Sequence, residues 1–193
     1  MQLWVATRLQ FQERFVDYIS HRILLVVGVA RNCLLLACVV AHAPIRDASE
    51  EEHSDFWEKL WETMARAKHA SRGGTCFLMI DANGRVGSHK SHVIGSKATD
   101  VEDRNGFRLC VQLEQDDVYA SSTFKCSDWT WRASKGKTST IDYVCSSALP
   151  TCCTEAKVLD IDLSLSESAD HRPIAAKFEG LCYITEKQLA ELP

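Results

Sequence analysis

Residues 23–41 of the chain read ILLVVGVARNCLLLACVVA, and this stretch decides between a membrane segment and a pair of buried strands. Its length is close to that of a spanning helix, but Arg31 and Asn32 lie at its midpoint, where a charge costs about 3 kcal/mol in lipid. Aliphatic residues on both sides of a polar break are typical of two strands joined by a turn at residues 30–32. We therefore expect two strands and no contact with a membrane.

Composition places the chain among ordinary globular proteins, since 46% of its 193 residues are hydrophobic and 25% are charged. That length predicts one domain. A net charge of −4 excludes the class of basic proteins that bind nucleic acid through overall positive charge. It does not exclude an enzyme acting on nucleic acid, because a bound metal ion can supply the local positive charge.

The cysteines indicate a reducing compartment. There are nine, an odd number, and no two of them form a CxxC pair. This pattern favours free thiols over a disulfide framework, and it offers no ligand spacing for a structural zinc site. We expect an intracellular protein, nuclear or cytoplasmic. The sequence does not indicate its oligomeric state.

A helix follows Pro44. Ser49 and Glu52 form a capping box at its start, and Gly73–Gly74 marks its end. Apolar side chains recur at helical spacing in between, at Phe56, Trp57, Leu60, Trp61 and Met64. This spacing is typical of a helix packed on a core.

The rest of the chain is mainly predicted as strands and loops. Thr75–Ile80 is a buried strand that ends in a turn at Asp81–Gly84, and residues 87–106 are a polar surface loop. Residues 107–113 form either a helix or a strand. Further strands are expected at residues 121–131, 141–144, 159–165 and 173–178. The order of elements predicts an α/β domain with mixed or antiparallel sheets.

Three acidic residues lie at the ends of apolar strands: Asp81, Asp142 and Asp170. Carboxylate oxygens are ligands that Mg²⁺ prefers, and a histidine such as His171 can act as a base when a carboxylate orients it. Asn83 can donate to a phosphate oxygen without adding charge. Together these groups are suited to phosphodiester cleavage, although each alone is also explained as a turn or surface residue. Five other histidines are expected at the surface, namely His21, His53, His69, His89 and His92.

Several short motifs follow one another in an order known from a single superfamily. They are Ala41–Pro44 (AHAP), Ile80–Gly87 (IDANGRVG), Asn105–Gly106, Arg108–Leu109, Thr130–Trp131, Ile141–Val144 (IDYV) and Ala169–Pro173 (ADHRP). On these motifs the chain resembles the endonuclease/exonuclease/phosphatase superfamily, that of DNase I and the apurinic endonucleases. It is most similar to the endonuclease domain of non-LTR retrotransposon polyproteins. The resemblance covers residues 3–178.

The resemblance implies a four-layer α/β/β/α sandwich, in which two packed mixed or antiparallel sheets carry outer helices. The domain would comprise residues 1–180, with residues 181–193 as a C-terminal tail. It also implies a divalent cofactor, Mg²⁺ or Mn²⁺, and DNA as the substrate.

Site residues follow from the same motifs. By resemblance, Asp81 orients or activates the attacking water and Asn83 binds the scissile phosphate. Asp142 orients His171, which contacts the phosphate or transfers the proton, and Asp170 lies near the metal.

Three further positions match the rim of the family's site. His42 occupies a place that often holds a tyrosine directed at the phosphate. Trp131, with Thr130 before it, matches a packing or substrate-lining pair, and Arg85 is expected to contact substrate.

One part of the family pattern is missing. The early Asn and the metal-binding Glu of a Gln-Glu strand are not found in their usual order, and Gln12–Glu13 resembles that strand only superficially. We interpret the chain as lacking about the first third of a usual domain, which would leave an exposed sheet edge. Weak Mg²⁺ binding and slow or absent cleavage are therefore expected. Two alternatives stay open: a phosphatase or phosphodiesterase of the same superfamily, and a non-catalytic remnant or binding protein.

Overall fold

The strands of the opening stretch form as predicted in a computed structural model, which describes residues 10–30, 34–71, 73–87, 91–159 and 170–181. Strands β2 (Ile23–Ala30) and β3 (Leu34–His42) pair antiparallel, and β2 is buried along its whole length. Residues 31 and 32 of the expected turn lie outside the described part. No helix among the described residues has the length and apolar character needed to cross a bilayer.

A five-stranded mixed sheet organises the molecule. Strand β1 (Gln12–Ser20) pairs with β2, and the sheet continues through β3 and β4 (Thr75–Asp81) to β7 (Asp142–Ser146). The pair of β3 and β4 is parallel, and the other pairs are antiparallel. The mixed α/β class predicted from the sequence is confirmed.

Two small antiparallel sheets complete the described strands. Strand β5 (Trp131–Arg132) pairs with β6 (Thr138–Ser139), and β8 (Cys153–Val158) pairs with β9 (Ile174–Phe178). The four-layer sandwich stays a prediction, because the described residues show one large sheet rather than two.

Helix α1 (Glu50–Ser71) makes the parallel crossover from β3 to β4 and packs on the sheet. The predicted cap is present, since the backbone N–H of Glu52 donates to Ser49 Oγ at 3.1 Å. The predicted apolar stripe is buried at Phe56, Trp57, Leu60 and Met64 and partly buried at Trp61. The helix was therefore correctly predicted at both ends and on its buried face.

One residue of this helix contradicts the sequence analysis. His53 was expected at the surface but is only 1% exposed, because it lies three residues before Phe56 and shares the apolar face of α1. The prediction is confirmed for His21, His69 and His92, which are exposed, and His89 lies outside the described residues.

Residues 107–113, which the sequence left open, are helical within α2 (Arg104–Asp116). The Asp103 carboxylate caps this helix by accepting from the N–H of Gly106 at 3.1 Å. The polar loop predicted for residues 87–106 is partly wrong, because Val93 and Ile94 are buried and Ile94 bridges to Ala120. Apolar anchors thus fix the loop to the core.

The strand predicted for residues 121–131 is wrong. A short 3₁₀ helix occupies Ser121–Phe124, and only Trp131 belongs to a strand. The reason is side-chain hydrogen bonding: Thr123 donates to the carbonyl of Ala120, and Ser122 Oγ accepts from the N–H of Val144. Buried hydroxyl groups here replace a β-ladder.

The remaining strand predictions have mixed outcomes. Strands near 141–144 and 173–178 are confirmed as β7 and β9, whereas Leu159 follows β8 and residues 160–169 lie outside the described part. Strands β1 and β8 were missed because polar, exposed residues interrupt their apolar pattern. Residues 182–193 of the expected tail also lie outside.

Seven described cysteines are free thiols. Burial raises the pKa of Cys38 to about 11 and that of Cys76 to about 12. Cys76 belongs to the hydrophobic core, where it acts as a small apolar residue.

Candidate active site

Strand register aligns three polar residues at one end of the large sheet. His42 at the end of β3 pairs with Asp81 at the end of β4, and Asp81 pairs with Asp142 at the start of β7. Because β7 runs antiparallel to β4, its first residue lies beside the last residue of β4. Residues that are far apart in the chain thus form one row.

His171 joins two of these residues in a compact cluster. Its Nδ1 lies 3.0 Å from Asp142 Oδ2, and its Nε2 lies 3.9 Å from Asp81 Oδ2. One ligand atom from each of the three residues lies within 4.8 Å of the others. The two carboxylates are each 20% exposed and the imidazole is 38% exposed, so the cluster is accessible to a small ligand.

Backbone hydrogen bonds on both sides of His171 hold it beside residues 130–132, at strand β5. The N–H of Arg132 donates to the carbonyl of Asp170 at 2.8 Å, and the N–H of Arg172 donates to the carbonyl of Thr130 at 2.7 Å. Buried Thr130 also fixes Asp142, since its Oγ1 accepts from the Asp142 N–H at 3.1 Å. One residue therefore positions both partners of the histidine–carboxylate pair.

Asn83 lies beside the cluster on the turn after β4. Its backbone N–H donates to Asp81 Oδ1 at 2.9 Å, and its φ of 43° is in the left-handed region that asparagine tolerates. The side-chain Nδ2 donates to the carbonyl of Ala43 at 2.9 Å and lies 3.4 Å from His42 Nε2. His42 Nε2 in turn lies 3.5 Å from Asp81 Oδ2, so both predicted residues adjoin the acid.

Asn105–Gly106, a motif to which the sequence alone assigns no role, supports this turn. Buried Asn105 donates through Nδ2 to the carbonyls of Pro44, Ala82 and Asn83, at 3.1, 3.2 and 3.3 Å. A Cβ added at Gly106 would lie 1.8 Å from the carbonyl oxygen of Arg85. The Asn-Gly pair was visible as a motif, but its partners are distant in sequence.

Other predicted residues line the rim of the same cavity, which has a volume of about 560 Å³. Asp170 accepts a hydrogen bond from Trp131 Nε1 at 3.0 Å and is not part of the three-residue cluster. Arg85 forms an ion pair with Asp103, with 3.0 Å between the Nε of Arg85 and the Oδ2 of Asp103. The predicted site residues thus line one cavity, except for Asp142, which contacts the cavity residue His171. The central cluster contains only Asp81, Asp142 and His171.

Electrostatics at the cluster favour a bound cation. Burial, followed by the nearby Asp142 carboxylate, raises the pKa of Asp81, while the Asn83 N–H and the two histidines act in the opposite direction. The hydrogen bond to Asp142 raises the pKa of His171. Two carboxylates facing each other repel, and a divalent cation between oxygen ligands relieves that repulsion. The donor set therefore fits a hard divalent metal.

Comparison with solved structures shows where this fold recurs. The NExo 3′ phosphatase from Neisseria, bound to a product DNA hairpin, matches at 14% identity with a TM-score of 0.61, over 88% of this chain and 72% of that one. An AP endonuclease from Archaeoglobus fulgidus matches at 13% identity with a TM-score of 0.59, and the coverage of both chains is the same. The 3′-5′ exonuclease NExo from Neisseria meningitidis matches at 16% identity with a TM-score of 0.57, over 82% of this chain and 65% of that one.

These similarities establish that the chain has the fold of those enzymes. No protein-family model matches the sequence, and no curated protein matches it.

Proposed function

We propose that the chain is a divalent-metal-dependent phosphodiester hydrolase that acts on DNA. The observation that carries this proposal is the grouping of ligand atoms of Asp81, Asp142 and His171 within 4.8 Å of one another. Asp81 and His171 line a cavity that Asn83 and His42 also line. The shared fold with structures of a DNA phosphatase, an exonuclease and an AP endonuclease supports it.

Each residue has a role that its contacts support. Asp81 accepts a proton from, or orients, the attacking water, and burial raises its pKa above that of an ordinary carboxyl group. Asp142 holds His171 through Nδ1, so that Nε2 is directed toward Asp81 and can contact a phosphate oxygen or transfer a proton. Asn83 and His42 supply hydrogen-bond donors for the phosphate.

The cation would be held by Asp81 and Asp142, with Asp170 at the rim as the ligand proposed from the resemblance. When bound, Mg²⁺ or Mn²⁺ supplies Lewis-acid polarisation of a phosphate oxygen.

Positive groups around the cavity support a polyanionic substrate. Lys137 and Arg46 line it, although the chain is negative overall. On the adjoining segment, the guanidinium carbons of Arg132 and Arg172 lie 4.5 and 4.3 Å from the centroid of the Trp129 ring. Arginine beside an aromatic ring is a common surface for nucleic-acid strands.

Within this function we place the chain with the retroelement-type endonucleases, on the AHAP motif at 41–44 and the IDYV motif at 141–144. An intracellular location, nuclear or cytoplasmic, is part of the same proposal because the cysteine pattern favours free thiols.

The test is cleavage of supercoiled plasmid with Mg²⁺ or Mn²⁺. We expect slow single-strand nicking that EDTA abolishes and that H171A reduces at least about 100-fold, the usual contribution of a proton-transfer group. His92→Ala is the matched control, because His92 is also an exposed histidine paired with a carboxylate, Asp117, but lies outside the cavity.

Substrate panels separate the alternatives. Release of phosphate from a 3′-phosphorylated oligonucleotide or from inositol phosphates, without nicking of plasmid, would replace the endonuclease with a phosphatase. A folded wild-type chain that processes none of these substrates, and behaves like H171A, would refute the hydrolase and favour a binding protein.

A further inference from the structure

A second cavity of about 440 Å³ adjoins the catalytic one, and we name it the side cavity. Arg46, Asn83 and Arg85 line both cavities, whereas His53, Arg104 and Asn105 line only the side cavity. The catalytic residues Asp81, Asp142 and His171 do not reach it. A ligand that occupies both spaces must therefore pass Asn83 and its neighbours.

The lining of the side cavity carries excess positive charge. It contains three arginines, of which Arg85 is neutralised by Asp103. Arg104 pairs with Glu50, whose side chain is 61% exposed. Arg46 makes no ion pair with any other described residue. Anions are accordingly favoured in this space over cations or neutral molecules.

Two buried polar groups at the cavity lack partners. His53 is 1% exposed, and neither its Nδ1 nor its Nε2 has a hydrogen-bond partner among the described residues. Asn105, 4% exposed, likewise has an unpartnered Oδ1. An unpaired buried polar group is unfavourable, and an imidazole carries at least one N–H from which an anion's oxygen can accept a hydrogen bond. The cavity is thus polar and incompletely satisfied.

From these observations we propose that the side cavity binds the phosphate next to the scissile one in a nucleic-acid strand. This inference rests on the proposed function, since it takes the scissile phosphate to lie at the catalytic cluster. The strand would run from one cavity to the other past Asn83, with Arg46 between the two phosphates and Arg104 on the second. A single phosphate would use only half of this continuous surface.

Two arginines offer a matched test. Arg104 and Arg108 both reach Glu50 Oε2, but only Arg104 lines the side cavity. We compare R104Q with R108Q in the full chain, using a fluorescein-labelled trithymidylate and anisotropy in EDTA, so that binding is measured without cleavage. R104Q is expected to weaken binding about tenfold, the usual effect of losing a charged hydrogen bond, with R108Q within about twofold of wild type.

Salt dependence gives a second readout. If Arg104 contacts a phosphate, the slope of log affinity against log salt should fall by about 0.7 in R104Q and stay unchanged in R108Q. Labelled thymidine monophosphate, which has one phosphate, should distinguish R104Q from R108Q less than the trinucleotide does.

A third variant covers the case in which R104Q does not fold. His53→Leu removes both unpartnered ring nitrogens, so we expect it to unfold at the same or a higher temperature and still to bind trithymidylate more weakly. A purely structural histidine would give lower stability with unchanged binding.

Equal affinity and equal salt slopes for R104Q and R108Q, with unchanged binding by His53→Leu, would overturn the inference and leave the side cavity as a solvent-filled space. Wild-type chain that binds trithymidylate as expected but hydrolyses no substrate would instead refute the proposed function alone.

Discussion

Asp81 and Asp142 are register partners on the antiparallel strands β4 and β7, which places their carboxylates in one cluster although 60 residues separate them in the chain. The β-ladder fixes the backbone positions of the two residues, so the two acids stay neighbours in the fold. Burial, and after it repulsion from the Asp142 carboxylate, raises the pKa of Asp81. The arrangement stores a cost that a divalent cation or a proton offsets.

Metal binding should therefore stabilise the fold through Asp81. Addition of Mg²⁺ or Mn²⁺ is expected to raise the melting temperature of the wild-type chain, and D81N to weaken the metal affinity at least about tenfold. Calorimetric titration measures the affinity. D170N tests the proposed rim ligand in the same assay, and a loss there would extend the site beyond the central three residues.

Asp117→Asn is the control for D81N, because Asp117 pairs with His92 outside the cavity and its left-handed φ of 49° suits asparagine. Equal metal affinity in D81N and D117N would show that the cluster is not the metal site.

In metal-free protein the pKa of the His171 imidazole should lie above its ordinary value of 6.5, because Asp142 accepts a hydrogen bond from the protonated ring. A group whose pKa is raised on folding contributes stability below its unfolded pKa and loses it as the pH rises through the folded value. The stabilisation by the Asp142–His171 pair is therefore present in acid and declines above about pH 6.5.

Nuclear magnetic resonance of the imidazole protons measures this pKa directly, and D142N should lower it toward 6.5. Urea unfolding from about pH 5 to about pH 8 should show the stability difference between wild type and D142N shrinking as the pH rises. A pKa for His171 that D142N leaves unchanged would mean that the pair does not form in solution.

Local patterns in the sequence were sufficient for the elements that carry strong periodicity or strong breaks. The run at 23–41, the cap at Ser49 and the stripe on α1 all depend on residues a few positions apart. His53 was misplaced because its polarity was given more weight than its spacing from Phe56. The strand predicted at 121–131 failed because Ser122 and Thr123 bond to distant or local backbone instead of following a ladder.

The site was predictable only as an ordered set of motifs. No local rule states that Asp81 and Asp142 pair, since that depends on the register of β4 with β7. The contribution of Asn105 was equally hidden, because its three acceptor carbonyls belong to two other loops. The chemical groups of the site could be identified from the sequence, but the long-range pairing of strands determines which of them are in contact.

Close packing at Gly106 should make that position intolerant of any side chain. A Cβ there would overlap the Arg85 carbonyl, so G106A is expected to lower the free energy of unfolding by about 3 kcal/mol, at the upper end for overpacking. Gly136→Ala is the control: its φ of +82° is also unfavourable for alanine, but the space around it is open, so it should cost only about 1 kcal/mol. Urea denaturation of both variants makes the comparison, and equal losses would contradict the close contact.

Thr130 should affect both the free energy of unfolding and the position of Asp142 in the site. Its buried hydroxyl accepts hydrogen bonds from the N–H groups of Ile141 and Asp142 at 3.1 Å each. Thr130→Val keeps the shape and removes the acceptor, leaving two N–H groups unsatisfied, so the free energy of unfolding should fall by about 2 kcal/mol. Asp142 would also lose its fixed position, and the pKa of His171 should drift toward 6.5 as in D142N. Thr130→Ser keeps the hydroxyl and should retain the wild-type pKa despite a small loss of packing. If valine and serine variants give the same His171 titration, Thr130 supports the fold without positioning the histidine–carboxylate pair.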